Sequence, residues 1–254
     1  GNPGGSGDTR PLAMDENLQE FAARHRFAIA GVTWFRGGEV YHQTGAVIAK
    51  VLEQWAALGF HPELAHVPLI PRGSSNAGVT AYGLACFMPA RIICFTPNVG
   101  PRYTPRVPPD AVLRVPALLH IGPTDPFFPL GVKDTAELMC HARARGAVWA
   151  WDAEQGKGHE IRHVDDVDLK FYDTCIALRL PAEYDPRSGP VTLVDLPLTN
   201  GWLADTDTWH ARGGACTHIA PYEHFDRAER PHYVWLPTRT MPSCIAPSPR
   251  TAIR

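Results

Sequence analysis

Pro68-Leu69-Ile70-Pro71-Arg72-Gly73-Ser74-Ser75-Asn76-Ala77-Gly78 is the stretch that decides the fold. An apolar run enters a corner of small residues. A helix-compatible run, Val79 to Phe87, leaves it. One hydroxyl, Ser75, stands at the apex with Gly73 and Ala77 two positions to either side and Gly78 beyond. A strand that turns sharply into a helix forces its apex residue into strained backbone geometry, so the flanking positions must be small. The stretch therefore reads as a nucleophile elbow, with Ala77 replacing the second glycine of G-x-S-x-G. Ser74 is the rival nucleophile, and the small flanks favour Ser75.

Two later segments extend the pattern. Val115 to Gly122 is a short apolar run followed by Pro123-Thr124-Asp125, a buried strand with a carboxylate just past its end. Ala147-Val148-Trp149-Ala150-Trp151 is another strand, followed by Gly156-Lys157-Gly158-His159-Glu160. Ser75, Asp125 and His159 thus each follow a predicted strand, and in a parallel sheet such loops meet at one edge. A hydroxyl nucleophile needs an imidazole to take its proton, and the imidazole needs a carboxylate to fix its tautomer. His163 is the rival base. Asp134 is the rival acid, at a position that reads as a helix N-cap.

The order and the motifs resemble the α/β-hydrolase superfamily, in particular its esterase and dienelactone-hydrolase-like branch. The resemblance covers roughly residues 1–180 and implies a mainly parallel, doubly wound α/β sheet. Gly73 to Gly78 resembles the family's elbow, Gly122 to Asp125 its acid loop and Gly158 to Glu160 its histidine loop. Gly1 to Asp8 resembles the loop that supplies an oxyanion-hole amide, from Gly4, Gly5 or Ser6, beside the amide of Asn76. Three strands would normally precede that loop, so the reading is of an N-terminally incomplete core. The alternatives are a Gly/Ser leader, or C-terminal strands that fill the gap.

The rest of the chain agrees with βα alternation. Helices are expected over Asp15 to His25, Thr44 to Leu58, Asp134 to Arg145 and Asp165 to Leu180. In the second, Val47, Ile48, Val51, Leu52 and Trp55 should share the buried face. Further strands are expected over Phe27 to Val32, Val67 to Ile70 and Arg91 to Phe95. Residues 181–254 change character, with Pro, Gly and aromatic residues dominating. They read as an irregular appendage on the core with one strand at Pro190 to Asp195. Its aromatic residues either pack on the core or wall a site for a sugar or aryl group.

Composition excludes several classes. The 254 residues carry a formal charge of −2, which offers no electrostatic case for nucleic acid or anionic membrane. No run approaches the ~20 apolar residues of a bilayer span. The six cysteines lack C-x-x-C spacing, which argues against a structural zinc site. Cys86, Cys94, Cys140 and Cys175 fall on predicted core elements; Cys216 and Cys244 could pair in an oxidising compartment. A signal peptide upstream of Gly1 would make the protein secreted or periplasmic. No metal or organic cofactor is implied.

The expected chemistry is hydrolysis of a small-molecule ester through an acyl-enzyme on Ser75, with His159 as base and Asp125 as orienter. Tyr103, Phe127 and Phe128 could wall the substrate pocket, and Arg102 and Arg106 could meet a carboxylate. A peptidase of the same fold and a non-catalytic binding scaffold are the competing readings.

Overall fold

The structure, a computed structural model, describes residues 8–31, 41–59, 61–122, 124–126, 129–153, 157–159, 166–204 and 218–239. Its helices are α1 (Arg10–Ala13), α2 (Glu16–His25), α3 (Tyr41–Leu58), α4 (Asn76–Phe87), α5 (Asp110–Leu113), α6 (Pro129–Ala144) and α7 (Asp166–Arg179). Its strands are β1 (Arg72–Ser74), β2 (Thr96–Asn98), β3 (Ala117–Ile121), β4 (Trp149–Ala153), β5 (Trp202–Ala204), β6 (Ile219–Pro221) and β7 (Val234–Leu236).

Strands β1 to β4 form a parallel sheet in the order β1-β2-β3-β4. Side chains alternate across it, so each face needs its own cover. Leu118 and Ala150 join Phe21 of α2 and Phe171, Tyr172 and Cys175 of α7 in one core. Ala117, Leu119 and Trp149 join Val79 and Tyr82 of α4, Val112 of α5 and Leu138 and Met139 of α6 in the other. The sheet is therefore doubly wound, and the fold class is α/β.

Local chemistry explains the boundaries. Asp15 caps α2 by accepting the amide of Leu18 at 2.9 Å. Gly146, at φ 83°, ends the turn that follows α6. The expected strand at Val67 to Ile70 shrinks to a single bridge between Leu69 and Ile92, because Pro68 and Pro71 have no amide to give to a ladder. Pairing resumes at β1, and β2 is correspondingly displaced to Thr96–Asn98, beyond the predicted Arg91 to Phe95.

Several expectations are corrected. Residues 27–31 form no strand: Phe27 packs half-buried on the core, and Ala28 to Gly31 are exposed and pair with no strand among the described residues. Among the described residues β1 is the edge of its sheet. Val47 and Trp55 are exposed on α3, whereas Leu52 is buried. The buried face is rotated because Gly45 admits the Phe87 ring of α4. Pro190 to Asp195 is irregular; Val194 exchanges hydrogen bonds with the end of α7 instead. The region after it is more regular than expected, with an antiparallel sheet in the order β6-β5-β7. Ala204, Val234 and Leu236 of that sheet share the core of α2 and α7. Among the described residues, no helix is long and apolar enough to cross a membrane.

Two buried arginines staple these parts together. Arg143 of α6 donates to the carbonyls of Ala147, Tyr233 and Arg230. Arg179 donates to Ile92 at 2.6 Å, Ile93 at 2.8 Å and Val194 at 3.1 Å. Arg179→Ala would strand the carbonyls of Ile92 and Ile93, whose loss of partners is costly inside a protein, and would release the more exposed Val194. The expected destabilisation is on the order of 3 kcal/mol, read as a lower urea midpoint.

The thiols also differ from one another. Cys86, Cys94 and Cys175 are buried, but Cys140 is exposed on α6, contrary to the core position expected for it. Burial pushes the Cys86 thiol up to about 12. Iodoacetamide at about pH 8 should therefore modify Cys140 of the native protein well before Cys86, Cys94 or Cys175. Peptide mass spectrometry checks this; equal labelling of Cys86 would contradict the packing. Cys216 and Cys244 lie outside the described residues.

Candidate active site

Ser75 sits between β1 and α4 at φ 57° and ψ −126°. Positive φ is uncommon for a residue with a Cβ and persists only where the surroundings over-determine it. They do so here. The Ser75 amide donates to the Asn98 carbonyl at 2.9 Å, and the Ser75 carbonyl accepts from Gly78 at 2.9 Å and Val79 at 3.2 Å. A Cβ on Gly73 would lie 2.2 Å from the Ala77 carbonyl oxygen, and one on Gly78 would lie 2.8 Å from that of Asn98. The small residues are thus required by backbone approaching backbone. Asn76 opens α4, so its amide belongs to the first-turn group that has no acceptor within the helix.

The loops after β3 and β4 bring their side chains to the same edge. His159 Nε2 lies 3.0 Å from Ser75 Oγ, and Nδ1 lies 2.7 Å from Asp125 Oδ2. The Asp125 carboxyl is buried and the imidazole mostly so, which keeps this chain of contacts largely out of water. The two loops are also tied through their backbones. The Thr124 amide and hydroxyl both donate to the Lys157 carbonyl, at 3.2 Å and 2.8 Å. Gly122 passes so close to Gly158 that a Cβ there would meet the Gly158 oxygen at 2.0 Å. A small hollow beside Asp125 is walled by Val99, Gly100, Gly131 and Thr135.

Other predicted site residues fall elsewhere. Ser74 is buried with its hydroxyl unpartnered, and the contact with His159 is made by Ser75. Tyr103 is only 2% exposed, so it walls no open pocket. Its hydroxyl accepts the Gly100 amide at 3.2 Å and its ring stands edge-on to Tyr82; burial pushes its phenol well up. Arg106 is engaged by Asp134 at 2.9 Å and Glu137 at 3.5 Å. Asp134 is not an N-cap, because α6 begins a turn earlier at Pro129. Arg102 is exposed. Gly4, Gly5, Ser6, Phe127, Phe128 and His163 lie outside the described residues.

Sequence reading passed over one group. His120 is buried in β3 and touches two carboxylates: Nδ1 lies 3.0 Å from Asp152 Oδ2, and Nε2 lies 2.9 Å from Asp168 Oδ1. A histidine inside the apolar run Leu118-Leu119-His120-Ile121 was the available signal.

No protein-family model matches the chain, and no curated protein matches it. Solved structures do. Arabidopsis thaliana SOBER1 is 19% identical over 54% of this chain and 63% of its own, with a TM-score of 0.38. Esterase PE8 is 19% identical over 55% of this chain and 66% of its own, also with a TM-score of 0.38. The chain spans just under two thirds of the length of each. At this level of overlap the chain's own geometry must carry any functional reading.

Proposed function

We propose that this chain is a serine hydrolase of the α/β-hydrolase type, acting on a carboxylic ester through an acyl-enzyme on Ser75. The observation that carries the reading is one imidazole in reach of Ser75 Oγ and Asp125 Oδ2 at once. In that reading His159 Nε2 takes the hydroxyl proton as Oγ bonds to the ester carbonyl carbon. Nδ1–H donates to Asp125, which stabilises the imidazolium that forms. Collapse of the tetrahedral intermediate breaks the bond to the alcohol oxygen, and that oxygen receives the proton from His159. Water then repeats the sequence on the acyl-enzyme and releases the acid.

The Asn76 amide is the candidate oxyanion donor, at the positive end of α4. One such donor contributes about 3 kcal/mol to lowering the barrier. Gly4, Gly5 and Ser6 are the proposed source of the second. The acyl-binding surface is proposed to include Phe127 and Phe128.

A fluorophosphonate probe tests the nucleophile, and matched p-nitrophenyl esters and p-nitroanilides test the leaving group. The expected result is stoichiometric labelling with ester turnover and little anilide turnover. Anilide turnover to match would make it a peptidase. No labelling and no turnover would leave a binding scaffold.

A further inference from the structure

A row of buried polar side chains crosses the parallel sheet just beneath the candidate site. Register pairs Ser74 with Asn98, Asn98 with His120, and His120 with Asp152. Paired residues of a parallel sheet present their side chains to the same face, and α7 covers this one with Asp168. His120 is 1% exposed and Asp168 is fully buried. Arg72 of β1 closes the group with Nε 3.5 Å from Asp168 Oδ2. Charges stay buried in a fold only when paired. Among the described residues, one guanidinium and one imidazole face two carboxylates here.

The place of each member in the chain matters more than the sum. Arg72 lies three residues before Ser75, and His120 lies five before Asp125. Asp152 lies seven before His159, and Asp168 nine after it. The ring of His120 therefore bonds both ends of the segment that carries His159, one through β4 and the other through α7. It does so from the strand that leads to Asp125.

We infer that His120 is a positioning residue: held between Asp152 and Asp168, it fixes where His159 stands relative to Asp125 and Ser75. The inference rests on the hydrolase reading for its effect on rate, but not for its effect on the His159 ring. Among the described residues, the cluster is also faced by Asn98 from β2, Tyr172 from α7 and Cys94 from the segment before β2. Tyr172 and Cys94 are both within electrostatic reach of Asp168.

The test uses the whole chain with His120→Ala and His120→Gln. The readouts are p-nitrophenyl acetate kinetics, circular dichroism and NMR titration of ¹⁵N-labelled histidines. A displacement of about 1 Å at a reacting group costs up to ~100-fold in rate. His120→Ala should thus lower kcat by roughly 10- to 100-fold, leave KM within about two-fold, and move the His159 titration together with the acid limb of the pH profile. His120→Gln, which keeps one donor, should recover part of kcat. Unchanged kcat and an unchanged His159 titration in a folded variant would overturn the inference. If the unmodified protein neither labels with fluorophosphonate nor turns over ester, the hydrolase reading falls. The His159 titration then decides on its own: a shift supports positioning by His120, and no shift removes it. If neither variant folds, Asp152→Asn, which weakens one end of the same bridge at the β4 side, is read in the same way: unchanged kcat and an unchanged His159 titration overturn the inference.

Discussion

Ser75→Ala should lower kcat for ester hydrolysis by roughly 10⁵- to 10⁶-fold and abolish fluorophosphonate labelling. The hydroxyl is the only atom removed, and it is the atom His159 Nε2 approaches at 3.0 Å. In the proposed mechanism the imidazole then has no proton to take, and His159 and Asp125 lose their roles together. Losses in such a unit are therefore not additive. His159→Ala in the Ser75→Ala background should cost little more. Stability should hardly change, because Ala keeps the Cβ and the strained backbone stays as it was. Ser74→Ala is the informative control. The Ser74 hydroxyl is buried without a partner, so its removal breaks no hydrogen bond and should leave activity within a few-fold. A reversal of the two results would place the apex one residue earlier.

Gly122→Ala should be the most damaging single-methyl change at the site, although residue 122 itself does no chemistry. Its new Cβ would lie 2.0 Å from the Gly158 oxygen and 2.9 Å from that of Lys157. Both obstacles are backbone, so no side chain can swing aside. The loop carrying His159 must retreat from the strand that leads to Asp125. A shift near 1 Å predicts a loss of about 100-fold in kcat. Overpacking at so tight a contact should also cost about 1–3 kcal/mol of stability. Gly158→Ala provides the contrast, since its Cβ would meet nothing nearer than Pro126 Cδ at 3.3 Å. Kinetics and thermal melting of the two variants side by side check the ordering. Equal activities would show that the glycine contact does not set the His159–Asp125 distance.

The parts of this site that could be read from sequence are those whose chemistry is local. The strand-to-helix turn is legible because a Ser75 at positive φ needs small residues at Gly73, Ala77 and Gly78, all within one short stretch. The loops of Asp125 and His159 are legible because each follows an apolar run that can only be a buried strand. The His120 cluster was not, because its partners lie 32 and 48 residues away and meet it only after the sheet has formed. Tyr103 misled for a related reason. An aromatic residue in a Pro-rich excursion reads as exposed, but its hydroxyl finds the Gly100 amide and its ring the side of Tyr82. Strand boundaries were misread at Val67 to Ile70, where the hydrophobic pattern ignores the amides that proline lacks. Phe27 to Gly31 form no strand, because an extended chain needs a partner that a hydrophobic pattern does not specify.

The strand order β1-β2-β3-β4 has a kinetic consequence. The contact between Ser75 and His159 spans 84 residues, and that between Asp125 and His159 spans 34. Neither can form until the intervening crossovers have docked, and long loops of this kind close slowly. Helices such as α2 and α7 can form early, on local information. A refolding chain will therefore regain its helical signal well before its reactivity. A fluorophosphonate probe, proposed above to label Ser75, should then serve as a clock for the last step of folding, when the edge of the sheet comes into line.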